Sequence, residues 1–202
     1  MSGPLTGIRI LDLTNVISGP FATMILADQG ADVVKVELPG VGDFVRSTGN
    51  KQGGMSATFL NNNRNKRSIT VDLKDQRGKD VLLKLVESCD AMVQNFRPGV
   101  VERIGISYDD VKKVKPDIVY LSISGFGEKG PYSQKPTYDP IVQALSGLTT
   151  VQAGSDQERP RLIRTIVPDK VTALTASQAM TAGLLSKFRT GEGQHIRLSM
   201  LD

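Results

Sequence analysis

The sequence predicts an α/β domain built on a doubly wound, mostly parallel sheet. Three observations carry that reading. Residues 5–37 lay down a complete strand, loop, helix and strand at the start of the chain. Short runs rich in branched apolar residues then alternate with helical patterns to the end of the sequence. The chain has 202 residues, 39% hydrophobic and 23% charged, which is enough to close one substantial core without a second domain.

The elements follow in order. Residues 8–13 are the first strand, a short branched apolar run. Gly19-Pro20 opens a helix in which Phe21, Met24, Ile25 and Asp28 keep a 3.6-residue rhythm, and Gly30 closes it. Residues 31–36 are the second strand, so the loop leaving the first one lies at the carboxyl edge of a parallel sheet, where open α/β folds bind ligands. Residues 39–43 and the polar stretch 47–54 read as loops. Residues 68–73, SITVDL, alternate as a strand, and residues 75–86 form a helix capped by Asp75 with Val81, Leu82, Leu85 and Val86 on one face. Further strands are expected at 90–94 and 118–124, with helical pieces at 100–104 and 108–114 between them. A helix at 139–148, the longest helix at 171–188 and a last strand at 195–200 complete a Rossmann-like pattern. No internal repeat or linker interrupts it.

Composition narrows the function classes. A net charge of +4 is spread along the chain, so it suits a small anionic ligand at least as well as nucleic acid. No aromatic-studded basic stripe supports nucleic-acid binding. The single cysteine, Cys89, excludes an internal disulfide and reads as a small buried apolar residue; no cysteine and histidine cluster suggests a metal. No leader pattern and no run of roughly 20 apolar residues is present, so a cytoplasmic protein is expected, without membrane contact. Gly40-Val41-Gly42 lacks the third glycine of a dinucleotide fingerprint, whereas Gly125-Phe126-Gly127 and Gly130 make a loop fit to close over a ligand.

The opening unit, the segments NNNRNKRSI, NFRPG and SISGFGEKGPY, and an aspartate following Pro168 together resemble the family III CoA-transferases, which include formyl-CoA transferase and the α-methylacyl-CoA racemases. The resemblance spans nearly the whole chain. It implies transfer of CoA from an acyl-CoA thioester to a small carboxylic acid through an aspartyl anhydride and an aspartyl-CoA thioester, with CoA as substrate and no tightly bound cofactor. It assigns the nucleophile to Asp169; from local sequence alone an aspartate ahead of a helix is a preferred N-cap. Tyr138 stands where transferases carry tyrosine and racemases a histidine that shuttles the α-proton, and the one histidine, His195, lies on a different predicted strand. Transferase is therefore favoured over racemase.

The same resemblance lays Asn15, Val16, Ile17 and Ser18 along CoA, sets Val71, Asp72, Leu73 and Lys74 beside the adenine, and takes further contacts from Asn95, Phe96, Arg97 and Arg103, with Arg46 as another cation. Ile17 and Leu38 replace a glutamine and an arginine of formyl-CoA transferase, which argues against formyl-CoA as donor. Family members are about twice as long, with a central small domain, a returning segment and interlocked homodimers. Residues 1–202 are thus expected to be one CoA-binding domain, the N-terminal part of the family's large domain. A truncated or split-half module that binds without turnover is the competing reading.

Overall fold

The computed structural model describes residues 2–202. Strand β1 (Arg9–Asp12) runs through a short loop into α1 (Ser18–Asp28), and β2 (Asp32–Glu37) returns parallel to β1. A 3₁₀ turn (Phe44–Ser47), a hairpin of β3 (Lys51–Gln52) and β4 (Met55–Ser56), and α2 (Ala57–Asn63) precede β5 (Lys66–Thr70). Then come α3 (Gln76–Val86), β6 (Ala91–Gln94), α4 (Val100–Ile104), α5 (Tyr108–Val114) and β7 (Val119–Ser124). The chain ends with α6 (Asp139–Leu145), α7 (Leu148–Ala153), α8 (Val167–Thr190) and β8 (Gln194–Ser199).

Six strands form one sheet in the order β5-β2-β1-β6-β7-β8, and every neighbouring pair is parallel. The chain winds outward from β1 to β5, then crosses to β6 and winds the other way. The doubly wound sheet expected from the sequence is therefore present, and its direction reverses between β1 and β6. The loops after those two strands open the crevice in which such folds hold ligands.

Both faces of the sheet are buried because successive side chains of a strand alternate. Ile10, Val93 and Leu121 pack with Leu26 of α1 and Ala176 and Met180 of α8. Leu11, Met92 and Tyr120 pack on the other face with Leu82 and Val86 of α3 and Val111 of α5. Leu82 and Val86, four residues apart, are fully buried; Val81, about a hundred degrees around the helix from Leu82, is 47% exposed and lies off the face assigned to it. Cys89 is buried as expected, and burial pushes its thiol up to about 11.

The structure departs from the sequence reading at several boundaries. The third main strand ends at Thr70, so Val71 to Leu73 lie just beyond it. The helix expected at 139–148 divides at Gly147, whose φ of 79° stops α6 and starts α7. The hairpin and α2 fall in a stretch without apolar rhythm and were not expected; Ser56, whose hydroxyl accepts from Phe59 N–H, is the cap that starts α2. The longest helix starts at Val167, four residues early, because Pro168 sits in a first turn that needs no N–H from it.

Candidate active site

The loop from β1 to α1 is fixed by side chains from four directions. Thr14 N–H donates to Asp12 Oδ1 at 2.9 Å, and Thr14 carbonyl accepts from Lys35 Nζ at 2.6 Å. Asn15 N–H donates to Asn95 Oδ1 at 2.9 Å while its carbonyl accepts from Asn95 Nδ2 at 2.8 Å. Val16 N–H donates to Asp43 Oδ1 at 3.2 Å. Asn15 and Asn95 thereby tie the two loops of the switch point together. Val16 has φ of 73°, a left-handed conformation that a branched residue holds only when its surroundings over-determine it. Gly19 is required two residues into α1, since a Cβ there would lie 2.4 Å from the Thr14 side chain.

Asp169 stands in the first turn of α8, 8% exposed. It is not the N-cap that local sequence suggested, because the helix begins two residues earlier and Ile166 occupies the cap without a side-chain bond. Buried Asp139, at the start of α6, supplies the missing cap from outside: its Oδ2 accepts from Asp169 N–H at 3.1 Å. Gln143 Nε2 donates to Asp139 Oδ1 at 2.6 Å and to Thr165 carbonyl at 3.1 Å, and its Oε1 accepts from Ile163 N–H at 2.9 Å. Burial and the neighbouring Asp139 carboxylate push the Asp169 carboxyl up to about 6, against the pull of the Ser18 hydroxyl and backbone N–H. A carboxylate so placed is ionised at neutral pH yet poorly solvated, the condition in which it is most reactive toward an electrophile.

A cleft of about 290 Å³ opens over Asp169. It brings together eight of the residues singled out from the sequence: Asn15, Val16, Ser18, Asn95, Phe96, Arg97, Tyr138 and Asp169. Ile17 is buried beneath the loop as the N-cap of α1. Val71 and Leu73 pack into the core beyond β5, and Asp72 accepts from Lys74 N–H at 2.9 Å in the turn that follows. Lys74 and Arg103 are exposed, outside the cleft. Arg46 is also outside it, bound to both oxygens of Glu37 at 2.7 Å and stacked 3.8 Å from the centre of the Phe59 ring. A second hollow of about 730 Å³ adjoins the cleft across Phe96, Arg97 and Pro98. His195 lies there, 2.8 Å from Ser122 Oγ and stacked on Tyr108, with burial pushing its imidazole down. The Gly125-Phe126-Gly127 loop borders both hollows.

Several site residues were not found by sequence reasoning. Lys135 lines the cleft beside Arg97, and neither makes an ion pair among the described residues. Beneath the loop, Asp12 meets Lys66 at 2.9 Å and Lys35 meets Asp43 at 3.0 Å, all four side chains almost wholly buried. Burial pushes Asp12 up, but Lys66, Lys35 and the hydroxyls of Thr14 and Thr23 outweigh it and hold the carboxyl at about 2. Burial likewise pushes Lys66 down to about 8 against Asp12. The sequence did carry a signal: buried parallel strands read as continuous apolar runs, and Asp12, Lys35 and Glu37 break that rule.

A buried, ionisable carboxylate at the switch point of a doubly wound sheet, with Arg97 and Lys135 on the cleft wall, defines the class of α/β domain to which the chain belongs. The chain belongs to CoA-transferase family III, whose model matches residues 5–202. It is 46% identical over 201 residues to succinyl-CoA:glutarate CoA-transferase of Mus musculus, an alignment covering 98% of this chain and 45% of that protein. It is 40% identical over 200 residues to acetyl-CoA:oxalate CoA-transferase of Acetobacter aceti, covering 99% of this chain and 51% of that one. A solved CaiB/BaiF family protein from Brucella suis superposes with a TM-score of 0.93 at 35% identity, covering 100% of this chain and 54% of that chain. The chain thus spans about half the length of the relatives it matches.

Proposed function

We infer that this domain carries the nucleophile of an acyl-CoA:carboxylate CoA-transferase, and that Asp169 is that nucleophile. The observation that carries the reading is the carboxyl of Asp169, buried at the mouth of the cleft with its ionisation near pH 6 and the Ser18 N–H beside it. The Asp169 carboxylate attacks the thioester carbonyl of an acyl-CoA, the C–S bond breaks, and a mixed anhydride and CoA thiolate result. The thiolate attacks the aspartyl carbonyl, expelling the donor acid and leaving an aspartyl-CoA thioester. The acceptor carboxylate then attacks that thioester, and returning thiolate resolves the second anhydride to a new acyl-CoA and free Asp169. Ser18 N–H, at the start of α1 and on the wall of the same cleft, is the candidate to hold the oxyanion in these steps.

Arg97 and Lys135 on the cleft wall, with exposed Lys74 and Arg103, are the cations available to the phosphates, since Arg46 is already neutralised by Glu37. Asn15, Val16, Asn95 and Phe96 offer the pantetheine a polar and apolar track. Val71, Asp72 and Leu73 flank the adenine, and Tyr138 bounds the acyl site. The named relatives act on succinyl-CoA and glutarate or on acetyl-CoA and oxalate, which supports small carboxylic acids as donor and acceptor. The racemase alternative is disfavoured by His195, which belongs to the other hollow. The working protein is a cytoplasmic homodimer, with chains interlocked as in the family.

Incubation with succinyl-CoA followed by mass spectrometry tests the reading. A covalent CoA or acyl adduct on the wild type that is absent from Asp169→Ala is the expected result. No adduct across a panel of short acyl-CoAs overturns it.

A further inference from the structure

Five consecutive polar groups of the backbone, from Thr14 N–H to Val16 N–H, each bind a buried or half-buried side chain. Those side chains come from β1, β2, the loop before the 3₁₀ turn and the loop after β6. Such complete satisfaction is unusual for a loop, whose polar groups ordinarily turn to water. Two of the partners, Lys35 and Asp43, are 1% and 0% exposed and ion-paired to each other at 3.0 Å. Lys35 Nζ also holds the Thr14 carbonyl, while Asp43 Oδ1 accepts from both Val16 N–H and Val45 N–H. The pair therefore grips the loop on either side of Asn15. A buried ion pair adds little to stability compared with apolar residues of similar size, so its presence asks for another explanation.

Val16 supplies one. Its left-handed conformation reverses the chain just before α1, and two residues later Ser18 lines the same cleft as Asp169, whose carboxyl it pulls down. An extended Val16, which a branched side chain prefers, would send the chain elsewhere. We propose that Asp43, buried in its pair with Lys35, is a positioning residue: its Oδ1 locks Val16 in the left-handed conformation and so keeps Ser18 on the cleft wall beside Asp169. This rests on the reading of Asp169 as nucleophile for its catalytic consequence, but its geometric content stands by itself. Lys35 and Asp43 touch no substrate; they act through the loop.

The test compares three forms of the whole chain. In Lys35→Met/Asp43→Asn the charges are gone but an amide oxygen still accepts from Val16 N–H. In Lys35→Met/Asp43→Leu the acceptor is gone as well, with the same loss of charge. The third form adds Val16→Gly to the leucine variant, since glycine adopts positive φ without help. The ¹³C titration of the Asp169 carboxyl reports Ser18 contact, with Asp139, the charged neighbour that also shifts it, common to all forms. The leucine variant should titrate about one unit higher than the asparagine variant. It should also form the acyl-CoA adduct about a hundredfold more slowly, the cost of a misplaced catalytic contact. Val16→Gly should recover most of both losses. Equal titration and rates in the asparagine and leucine variants overturn the proposal.

Should the leucine variant fail to fold, amide hydrogen exchange on the wild type decides: a Val16 N–H as protected as its β1 neighbours supports the lock, and a freely exchanging one refutes it. A wild type that forms no adduct overturns the transferase reading alone, and titration and exchange still decide this one.

Discussion

Replacing Asp169, the nucleophile proposed above, should make the protein more stable, and the gain should depend on pH. The Asp169 carboxyl titrates at about 6 in the folded state against 3.8 for an ordinary aspartate. Between those values the folded protein keeps a proton that the unfolded chain has released, so stability falls as pH rises through the interval and levels off above pH 6. About two units at 1.36 kcal/mol each is roughly 3 kcal/mol of lost stability at pH 8. Asparagine cannot ionise and retains an oxygen for Ser18. Asp169→Asn should therefore unfold about 3 kcal/mol less readily at pH 8, a rise in Tm on the order of 6–12 °C for a chain of this size, and show almost no gain at pH 4. The chain has no tryptophan, so far-UV circular dichroism during thermal and urea unfolding is the suitable probe. A variant less stable at pH 8, or one equally stabilised at both pH values, would refute the account of Asp169 as a buried carboxylate held ionised against its surroundings.

Other consequences are as direct. Adduct formation should rise about tenfold per pH unit up to pH 6 and then level, as the ionised fraction of Asp169 grows; Asp139→Asn should move that midpoint down, because the Asp139 charge helps hold it up. Asn95→Ala strands the N–H and carbonyl of Asn15 and should cost about 1–3 kcal/mol in urea unfolding. Gly19→Ala forces a methyl onto Thr14 and should destabilise by about 1–3 kcal/mol. Lys66→Met leaves Asp12 buried without its ammonium partner and should lower stability by about 3–5 kcal/mol, measured as the shift in the urea midpoint.

The sheet was legible because its strands are short apolar runs and its helices keep period, as in residues 8–13 and 75–86. The site was legible in part. Asn15, Asn95 and Asp169 lie on separate loops and helices, and only the strand order brings them together; the resemblance supplied what periodicity lacked. The long helix was misplaced at its start because proline was taken to precede it rather than to occupy its first turn. That error hid the external cap from Asp139. Asp43 and Lys66 stayed hidden for a different reason: a charged residue in a sequence looks solvated unless its neighbours mark it as buried, and the polar stretches around these two gave no such mark, whereas the apolar run around Lys35 did.

The concealed residues and the exposed chemistry belong to one arrangement. Asp169 is destabilised by burial and by Asp139, and Val16 by its backbone, so the cleft concentrates two unfavourable features within one loop and one helix turn. Neither could persist on flexible supports. Asp12, Lys35, Asp43 and Lys66 form a rigid, internally neutral layer under the loop, while Gln143 and Asp139 clamp the entry to α8. The two supports are independent: one spans β1, β2 and β5, the other α6 and the segment 163–169. Damage to the first should displace Ser18 while leaving Asp139 at its post, and damage to the second should do the reverse. The titration of Asp169 would then move in opposite directions, upward when Ser18 withdraws and downward when the Asp139 charge is removed.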